Sequence, residues 1–222
     1  MIARTRAAGT VALLVLTGGG WAVPAYAAPP ESTTTLVLSS PMSAYGQPVT
    51  ASVQVVTAGT ADGDVMLSLD GVETKINLNG GGSGSLVLPR ALVGEHRVSA
   101  RFVPRLPGQE PSTSTTQSWM VTQVRTRLQV RVTGRGVRLP TSVVVGTSGE
   151  YGTRPTGSVT VTVRHLGTGR TTRRRGTLDG AGAAVARFGT LRAGGYRLRV
   201  SYAGDAQHVT ERVSTRFAVR QR

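Results

Sequence analysis

Apolar residues alternate with polar or small residues over most of the chain beyond residue 27. The alternation covers residues 49–55, 65–69 and 98–102 in the first half, and 128–132, 159–163, 198–202 and 213–219 in the second. A period of two places successive side chains on opposite faces of a β-strand, whereas a helix repeats near 3.6 residues. Beyond residue 27 no segment keeps a helical period, so the sequence predicts an all-β protein.

Turn-forming residues separate these predicted strands at short intervals. Asp70 precedes Gly71 and Asp179 precedes Gly180, and such pairs are typical of tight hairpin turns. About seven short strands per hundred residues, each apolar on one face, are typical of two packed antiparallel sheets. We therefore predict a β-sandwich architecture in preference to a barrel.

The strand pattern occurs twice along the chain. Residues 63–69 (GDVMLSL) align with 157–163 (GSVTVTV), and residues 94–102 (GEHRVSARF) align with 194–202 (GGYRLRVSY). The offset grows from 94 to 100 residues between these two alignments, so the length differences fall in loops. We expect two tandem domains of one fold, at residues 28–122 and 123–222.

Residues 1–27 have the features of a secretory signal peptide. They comprise the positive residues Arg4 and Arg6, the apolar run 11–16 (VALLVL) and the small residues Ala25 and Ala27 before the cleavage point. The alternative is a membrane anchor, but the apolar stretch is interrupted by glycines at 18–20 and is shorter than the roughly 18–20 residues that a span needs. We expect a secreted, extracellular protein without a transmembrane anchor, retained at the cell envelope, if at all, by noncovalent contacts.

Several short motifs resemble those of one known family. They are TTTL at 33–36, YGQPVT at 45–50, PTGSV at 155–159, LDGAGA at 178–183 and GYRLRVSYAGD at 195–205. Together they resemble the bacterial immunoglobulin-like (Ig-like) domain family, which occurs as repeats in secreted and surface proteins, and the likeness covers about residues 32–220. The first copy departs from the family with RLPGQ at 105–109 in place of Gly-Asp, and the second copy lacks the Tyr-Gly before its second strand. The resemblance implies two tandem Ig-like β-sandwich domains with an extracellular structural, spacing or adhesive role and no shared catalytic residue.

Composition argues against most catalytic chemistry. The chain of 222 residues has no cysteine, three histidines and eleven acidic residues. The absence of cysteine excludes disulfides, thiolate metal sites and a cysteine nucleophile. No two histidines have ligand spacing, and packing roles are expected for His96 and His208. We therefore predict a protein that is not an enzyme, with no catalytic residues, no metal site and no cofactor.

Positive charge is concentrated in the second repeat. Residues 28–122 hold seven acidic and five basic residues, whereas residues 123–222 hold four acidic residues and nineteen arginines. A GC-rich genome, as in actinobacteria, explains why the chain has arginine in place of lysine. It does not explain a difference of seventeen charges between two copies in one chain. Such asymmetry points to a polyanionic partner for the second repeat.

Strand alternation predicts where these arginines point. With the apolar residues of three predicted strands facing inward, the outward arginines are Arg164, Arg197, Arg199, Arg212, Arg216 and Arg220. Three more, Arg173, Arg174 and Arg175, lie on the neighbouring hairpin. In the Ig-like strand order the three strands are neighbours in one sheet, so we predict an anion-binding surface there. The alternative is ordinary solvated surface that discourages edge-to-edge strand pairing.

The sequence is compatible with two functions. The first is a structural or adhesive module at the cell envelope, held by its second domain to an anionic wall polymer or another extracellular polyanion. The alternative is an accessory carbohydrate-binding module, for which Trp119 would have to supply an exposed stacking platform. No aromatic residue is interleaved with the arginines, so sequence-specific nucleic-acid binding is not expected. The sequence does not specify an oligomeric state.

Overall fold

A computed structural model of the chain describes residues 31–105 and 109–221. The predicted signal peptide, residues 1–27, lies outside the described residues. The first sandwich contains strands β1 (Thr33–Leu38), β2 (Met42–Ala44), β3 (Thr50–Val56), β4 (Gly63–Leu69), β5 (Val72–Asn77), β6 (Ser83–Val87), β7 (Gly94–Pro104), β8 (Ser112–Thr113) and β9 (Gln117–Thr122). One sheet has the order β1-β3-β6 and the other the order β2-β9-β7-β4-β5, with β8 paired to β7.

The second sandwich follows three residues after β9. It contains strands β10 (Thr126–Thr133), β11 (Pro140–Gly149), β12 (Ser158–His165), β13 (Thr171–Thr177), β14 (Ala183–Thr190), β15 (Gly194–Tyr202) and β16 (Glu211–Val219), with a 3-10 turn at Glu150–Gly152. Its sheets have the orders β10-β11-β14 and β13-β12-β15-β16, and every pairing is antiparallel. The predicted all-β fold, with two tandem Ig-like sandwiches, is confirmed.

Each sandwich has its own hydrophobic core between its two sheets. Leu67, Val98 and Phe102 are at most 1% exposed in the first core, and Leu198 and Val200 are fully buried in the second. These residues are the apolar members of the alternating segments, so burial of one strand face supplies the stabilisation that orients each strand. Because each sandwich has its own core, each sequence repeat contains a full set of alternating segments.

The tight turn at Asp70 and Gly71 has the backbone conformation that its sequence predicts. Both residues have positive φ, 51° and 87°, between the paired strands β4 and β5. Two consecutive residues with positive φ match the twist of a two-residue hairpin, and glycine adopts this conformation without steric cost.

The two sandwiches contact each other at the link between β9 and β10. Val124 in this link is 1% exposed and pairs with the loop between β15 and β16. Its N–H donates to Gln207 O at 2.9 Å, and its carbonyl accepts the N–H of Val209 at 3.0 Å. The link is therefore fixed as a short piece of strand, which restricts motion between the sandwiches.

Side chains from both sandwiches reinforce the contact between the link at Val124 and the β15–β16 loop, which we call the joint. The N–H of Val93 in the first sandwich donates to Gln207 Oε1 at 2.7 Å, and the Tyr45 ring meets His208 edge-on with centroids 5.9 Å apart. Gly46 has a φ of +86°, and a Cβ there would lie 2.6 Å from Thr153 Cγ2. The positive φ and the nearby Thr153 methyl group therefore require glycine at this position.

Asp205 organises the loop of the second sandwich that forms the joint. Its carboxylate accepts hydrogen bonds of 2.8 Å from the N–H groups of Thr156, Gln207 and His208, and it lies 2.9 Å from His208 Nδ1. Burial raises the pKa of this carboxyl, but the hydrogen bonds from Thr156, His208 and Gln207 outweigh it and hold the pKa well below its usual range. The charged carboxylate is therefore part of the folded structure.

We expect Asp205→Asn to lower the free energy of unfolding by about 1.5–3 kcal/mol at pH 7, since hydrogen bonds to a charged group are lost. A carboxyl whose pKa is depressed by folding contributes stability above its unfolded pKa, and this contribution disappears as the pH falls. The difference between wild type and variant should therefore narrow as the pH is lowered through 4 toward about 3. Urea unfolding at a series of pH values measures both effects.

Asp179→Asn is the matched control. Asp179 sits in the exposed turn between β13 and β14, where one side-chain oxygen accepts two backbone N–H groups at 2.9 Å. An asparagine keeps that acceptor, so little change is expected at any pH. If the two variants behave alike, the Asp205 carboxylate does not stabilise the loop through its charge.

Candidate functional site

Seven arginines lie on the outer face of the sheet β13-β12-β15-β16. We call this surface the basic face; its arginines are Arg164, Arg173, Arg175, Arg197, Arg199, Arg212 and Arg216, all exposed. Burial of Val159, Val161 and Val163 turns the intervening residues of β12 outward. The same alternation on the neighbouring strands brings the arginines of four strands onto one surface.

Strand register arranges the basic face in rows across the sheet. In one row Arg164, Arg197 and Arg216 stand directly opposite one another on β12, β15 and β16. In the next row Thr162 lies between Arg173 and Arg199. In the third row Thr160 and Ser201 lie side by side, with Arg175 and Arg212 flanking them. Small hydroxyl residues are thus bracketed by guanidinium groups in two successive rows.

The basic face has no carboxylate partners among the described residues. Within the described residues, arginine–carboxylate pairs closer than 4 Å occur only in the first sandwich, at Arg101 and Arg105. In the described part of the second sandwich, the one basic side chain within 4 Å of a carboxylate is His208, which contacts Asp205 in the joint. The positive charge of the basic face is therefore not neutralised by the described part of the chain, and it is available to anions from solution.

The basic face is concave. A depression of about 750 Å³ is lined by Arg164, Arg173, Arg197, Arg199 and Arg212 together with Thr160, Thr162, Thr171 and Ser201. A second depression of about 300 Å³, beside Ser158 and Arg175, shares Thr160, Ser201 and Arg212 with the first. The two depressions are therefore neighbours along β12, and together we call them the trough.

Two of the nine predicted arginines lie elsewhere. Arg174 is paired with Val161 in the register, so it projects to the side of the sheet opposite the basic face. There it borders a separate cleft of about 400 Å³ with Arg170 and Arg192. Arg220 lies just beyond β16, where its backbone bridges to Gly136. The structure thus brings seven of the nine together, turns Arg174 to the other side of the sheet and leaves Arg220 just beyond the end of β16.

The hydroxyl residues of the trough were not predicted as site residues from the sequence. Thr160, Thr162 and Ser201 are partly buried among the arginines and form the floor of the trough. The alternation in β12 could have identified Thr160 and Thr162, because they are the outward residues between three buried valines. Their position between arginines depends on strand register, which the sequence does not specify.

The histidines make internal contacts. His96 Nδ1 lies 2.6 Å from Asp70 Oδ2, and its Nε2 lies 2.7 Å from Leu92 O. Burial lowers the pKa of this ring, but the hydrogen bonds to Asp70 and Leu92 outweigh it and hold the pKa above its ordinary value. His165 packs edge-on against Tyr196 at 4.8 Å, and His208 is 2% exposed in the joint. His96 and His208 thus have the packing roles that their sequence contexts suggest, and His165, for which the sequence suggests no role, also packs internally.

Trp119 is buried in the first sandwich. It is 2% exposed, and its Nε1 donates to Ser43 Oγ at 3.0 Å. It therefore offers no surface on which a sugar ring could stack. Among the other aromatic residues of the described chain, Tyr151 is the one with an exposed side chain.

Residues 31–105 and 109–221 contain no group of three or more His, Asp or Glu side chains placed to hold a metal ion. The same residues contain no helix with the length and hydrophobicity that crossing a membrane requires.

No family model and no curated protein matches this chain. Among solved structures, it is similar to a tetra-tandem repeat from the extending region of a large adhesion protein, with 15% identity and a TM-score of 0.46 over 86% of this chain. The chain spans 49% of that structure. It is also similar to a two-domain fibronectin type III segment of chicken tenascin (14% identity, TM-score 0.39, 85% of this chain and 98% of that one). A third similar structure is that of a putative membrane-anchored protein from Corynebacterium diphtheriae (12% identity, TM-score 0.34, 84% of this chain and 58% of that one). These loose superpositions define no family for the chain and leave its function to its own residues.

We expect Arg197→Thr to raise the free energy of unfolding by about 0.2–1 kcal/mol at low salt. Arg197 stands between Arg164 and Arg216 in the register, and like charges directly opposite each other destabilise a sheet. The gain should shrink as salt is added, because screening weakens the repulsion in the wild type. Urea unfolding at low and high salt measures the difference.

Arg187→Thr is the control for this substitution. Arg187 is exposed on β14 and stands opposite Ser142, not another arginine. Its replacement should change stability little and without dependence on salt. A gain at Arg187 as large as that at Arg197 would show that the residue type, and not the row of arginines, is responsible.

Proposed function

We propose that this chain is a secreted, non-enzymatic structural or adhesive module of the cell envelope, and that its second sandwich binds an anionic polymer through the basic face. The observation that carries the proposal is the gathering of seven arginines on one sheet surface without a carboxylate partner in the described residues. Guanidinium groups bind phosphate and carboxylate through paired, charge-assisted hydrogen bonds.

The distribution of charge supports binding over simple solvation. Solubility and protection of sheet edges need scattered charges, preferably of both signs. The basic face instead places arginines directly opposite one another in the middle of a sheet, at Arg164 and Arg197. Such an arrangement reduces stability in the free protein, and a bound anion would relieve it.

The first sandwich supports a structural role. Its charged residues form internal pairs, such as Lys75 with Asp64 at 2.8 Å, and its repeat carries about equal numbers of acidic and basic residues. It is joined to the second sandwich by the ordered contacts around Val124 and Gln207. In this proposal the first sandwich is a spacer or presents a further partner, while the second provides attachment.

The alternative of a carbohydrate-binding module lacks a specific supporting observation. Stacking on sugar rings needs an exposed aromatic platform, and Trp119 is buried. The hydroxyl groups of the trough lie among arginines, which suits an anionic ligand better than a neutral sugar.

We expect the chain from Ala28 to Arg222 to be retained on purified cell envelope at low salt and to be released steeply as salt is raised. The double variant Arg197→Glu/Arg199→Glu should be retained much more weakly, because two contacts become repulsive. Its slope of log affinity against log salt should fall by about one per lost contact. Co-sedimentation across a salt series gives both values.

The matched control is Arg127→Glu/Arg131→Glu. These arginines are exposed on β10, in the other sheet of the same sandwich, and the change in net charge is identical. This control should keep most of the retention. Equal losses in the two double variants would mean that net charge alone matters, and retention unaffected by salt would refute attachment by charge.

A further inference from the structure

We infer, building on the proposed function, that the ligand of the trough is a single linear chain of phosphodiesters, recognised by its phosphates alone. The trough and its hydroxyl floor carry this inference. A flat anionic surface or a polymer of carboxylates would use the arginines but not the floor.

The shape of the trough suits one extended chain. Its floor follows β12 from Ser158 to Arg164, a length of about 20 Å at roughly 3.3 Å per residue. Beside Thr162 the flanking arginines stand on β13 and β15, about 10 Å apart at roughly 4.8 Å per strand spacing. Beside Thr160 and Ser201 they stand on β13 and β16, about 14 Å apart at the same spacing. A planar array of lipid head groups would rest on the rims, whereas a single polymer strand can lie along the floor.

The side chains of the trough suit phosphate in particular. A phosphate above Thr162 can accept a hydrogen bond from the threonine hydroxyl below it. It can also accept hydrogen bonds from the guanidinium groups of Arg173 and Arg199 on either side. A phosphate above Thr160 has the hydroxyl of Ser201 beside it and Arg175 and Arg212 as flanking partners. A phosphodiester has two unesterified oxygens on a tetrahedral phosphorus, and these oxygens accept hydrogen bonds over a wide range of directions. The lone pairs of a carboxylate lie in its own plane, so a carboxylate is less suited to donors from the floor and from both walls at once.

The spacing of these two positions also suits a repeating chain. Residues two apart on one strand are about 6.7 Å apart, so Thr160 and Thr162 would hold phosphates separated by a short spacer. The aromatic residue beside the trough, Tyr202, points into the core and is 1% exposed. Bases therefore have no aromatic stacking partner there, and we expect a nucleic acid to bind mainly through its backbone.

The experiment compares three fluorescent polymers of equal charge on the chain from Ala28 to Arg222: an abasic deoxyribose-phosphate oligomer, oligothymidylate and polyglutamate. Fluorescence anisotropy at low salt gives the affinities. The expected result is tighter binding of both phosphodiester chains than of polyglutamate, with the abasic and thymidine chains equal within about twofold.

The variant Thr160→Val/Thr162→Val removes two floor hydroxyls without changing charge. Valine has nearly the same shape and favours strands, so folding should be preserved, and a thermal melt checks this. Affinity for the abasic chain should fall roughly tenfold, while affinity for polyglutamate stays unchanged. Thr172→Val is the control, because Thr172 pairs with Val163 and faces away from the trough.

The outcomes separate this inference from the proposed function. If none of the polymers binds at low salt, both the proposed function and the phosphodiester ligand are wrong. If all bind equally and the valine variant binds like wild type, the basic face attracts anions in general and the phosphodiester ligand is wrong. If the thymidine chain binds much more tightly than the abasic chain, bases are recognised and recognition by phosphates alone is overturned.

Discussion

Burial of every second side chain on β12, β15 and β16 determines what the second sandwich presents to solvent. Val161, Leu198 and Val200 occupy the core, and their removal from water stabilises the strands in this one orientation. The residues between them must therefore point to the solvent face of the sheet. A shift of register by one residue would bury arginines, so the core that stabilises the fold also keeps the basic face outward.

The basic face has a cost that the core must offset. Guanidinium groups stand opposite one another across neighbouring strands, without carboxylates from the described chain to neutralise them. Burial of the core and the hydrogen bonds of the Asp205 loop supply the stabilisation that offsets this electrostatic repulsion. The first sandwich, built from the same strand pattern, pairs its charges instead. The two sandwiches share the alternating strand pattern but use their outward positions differently.

Much of this arrangement could be predicted from the sequence, and the remainder could not for physical reasons. The alternating segments predicted the strands, the sandwich and the outward direction of Arg197 and Arg199, because period and burial are local properties. The period of two turns Arg174 away from Arg173 and Arg175, but which of them lie on the basic face depends on the pairing of β13 with β12. The trough depends on register across four strands. Register follows from long-range contacts, and a single sequence does not encode it in any short segment. The anionic ligand and the export of the chain stay predictions.

The joint has a consequence for mechanical load. A module attached through its second sandwich and pulled through its first transmits tension through Val124 and the loop that carries Gln207 and His208. The bridge between Val124 and His208 is parallel, so a force directed along the link would load its two hydrogen bonds together in shear. The same loop is fastened to the body of the second sandwich by the Asp205 carboxylate. Tension would therefore reach the β15–β16 hairpin directly, and the strands that carry much of the basic face would bear the force.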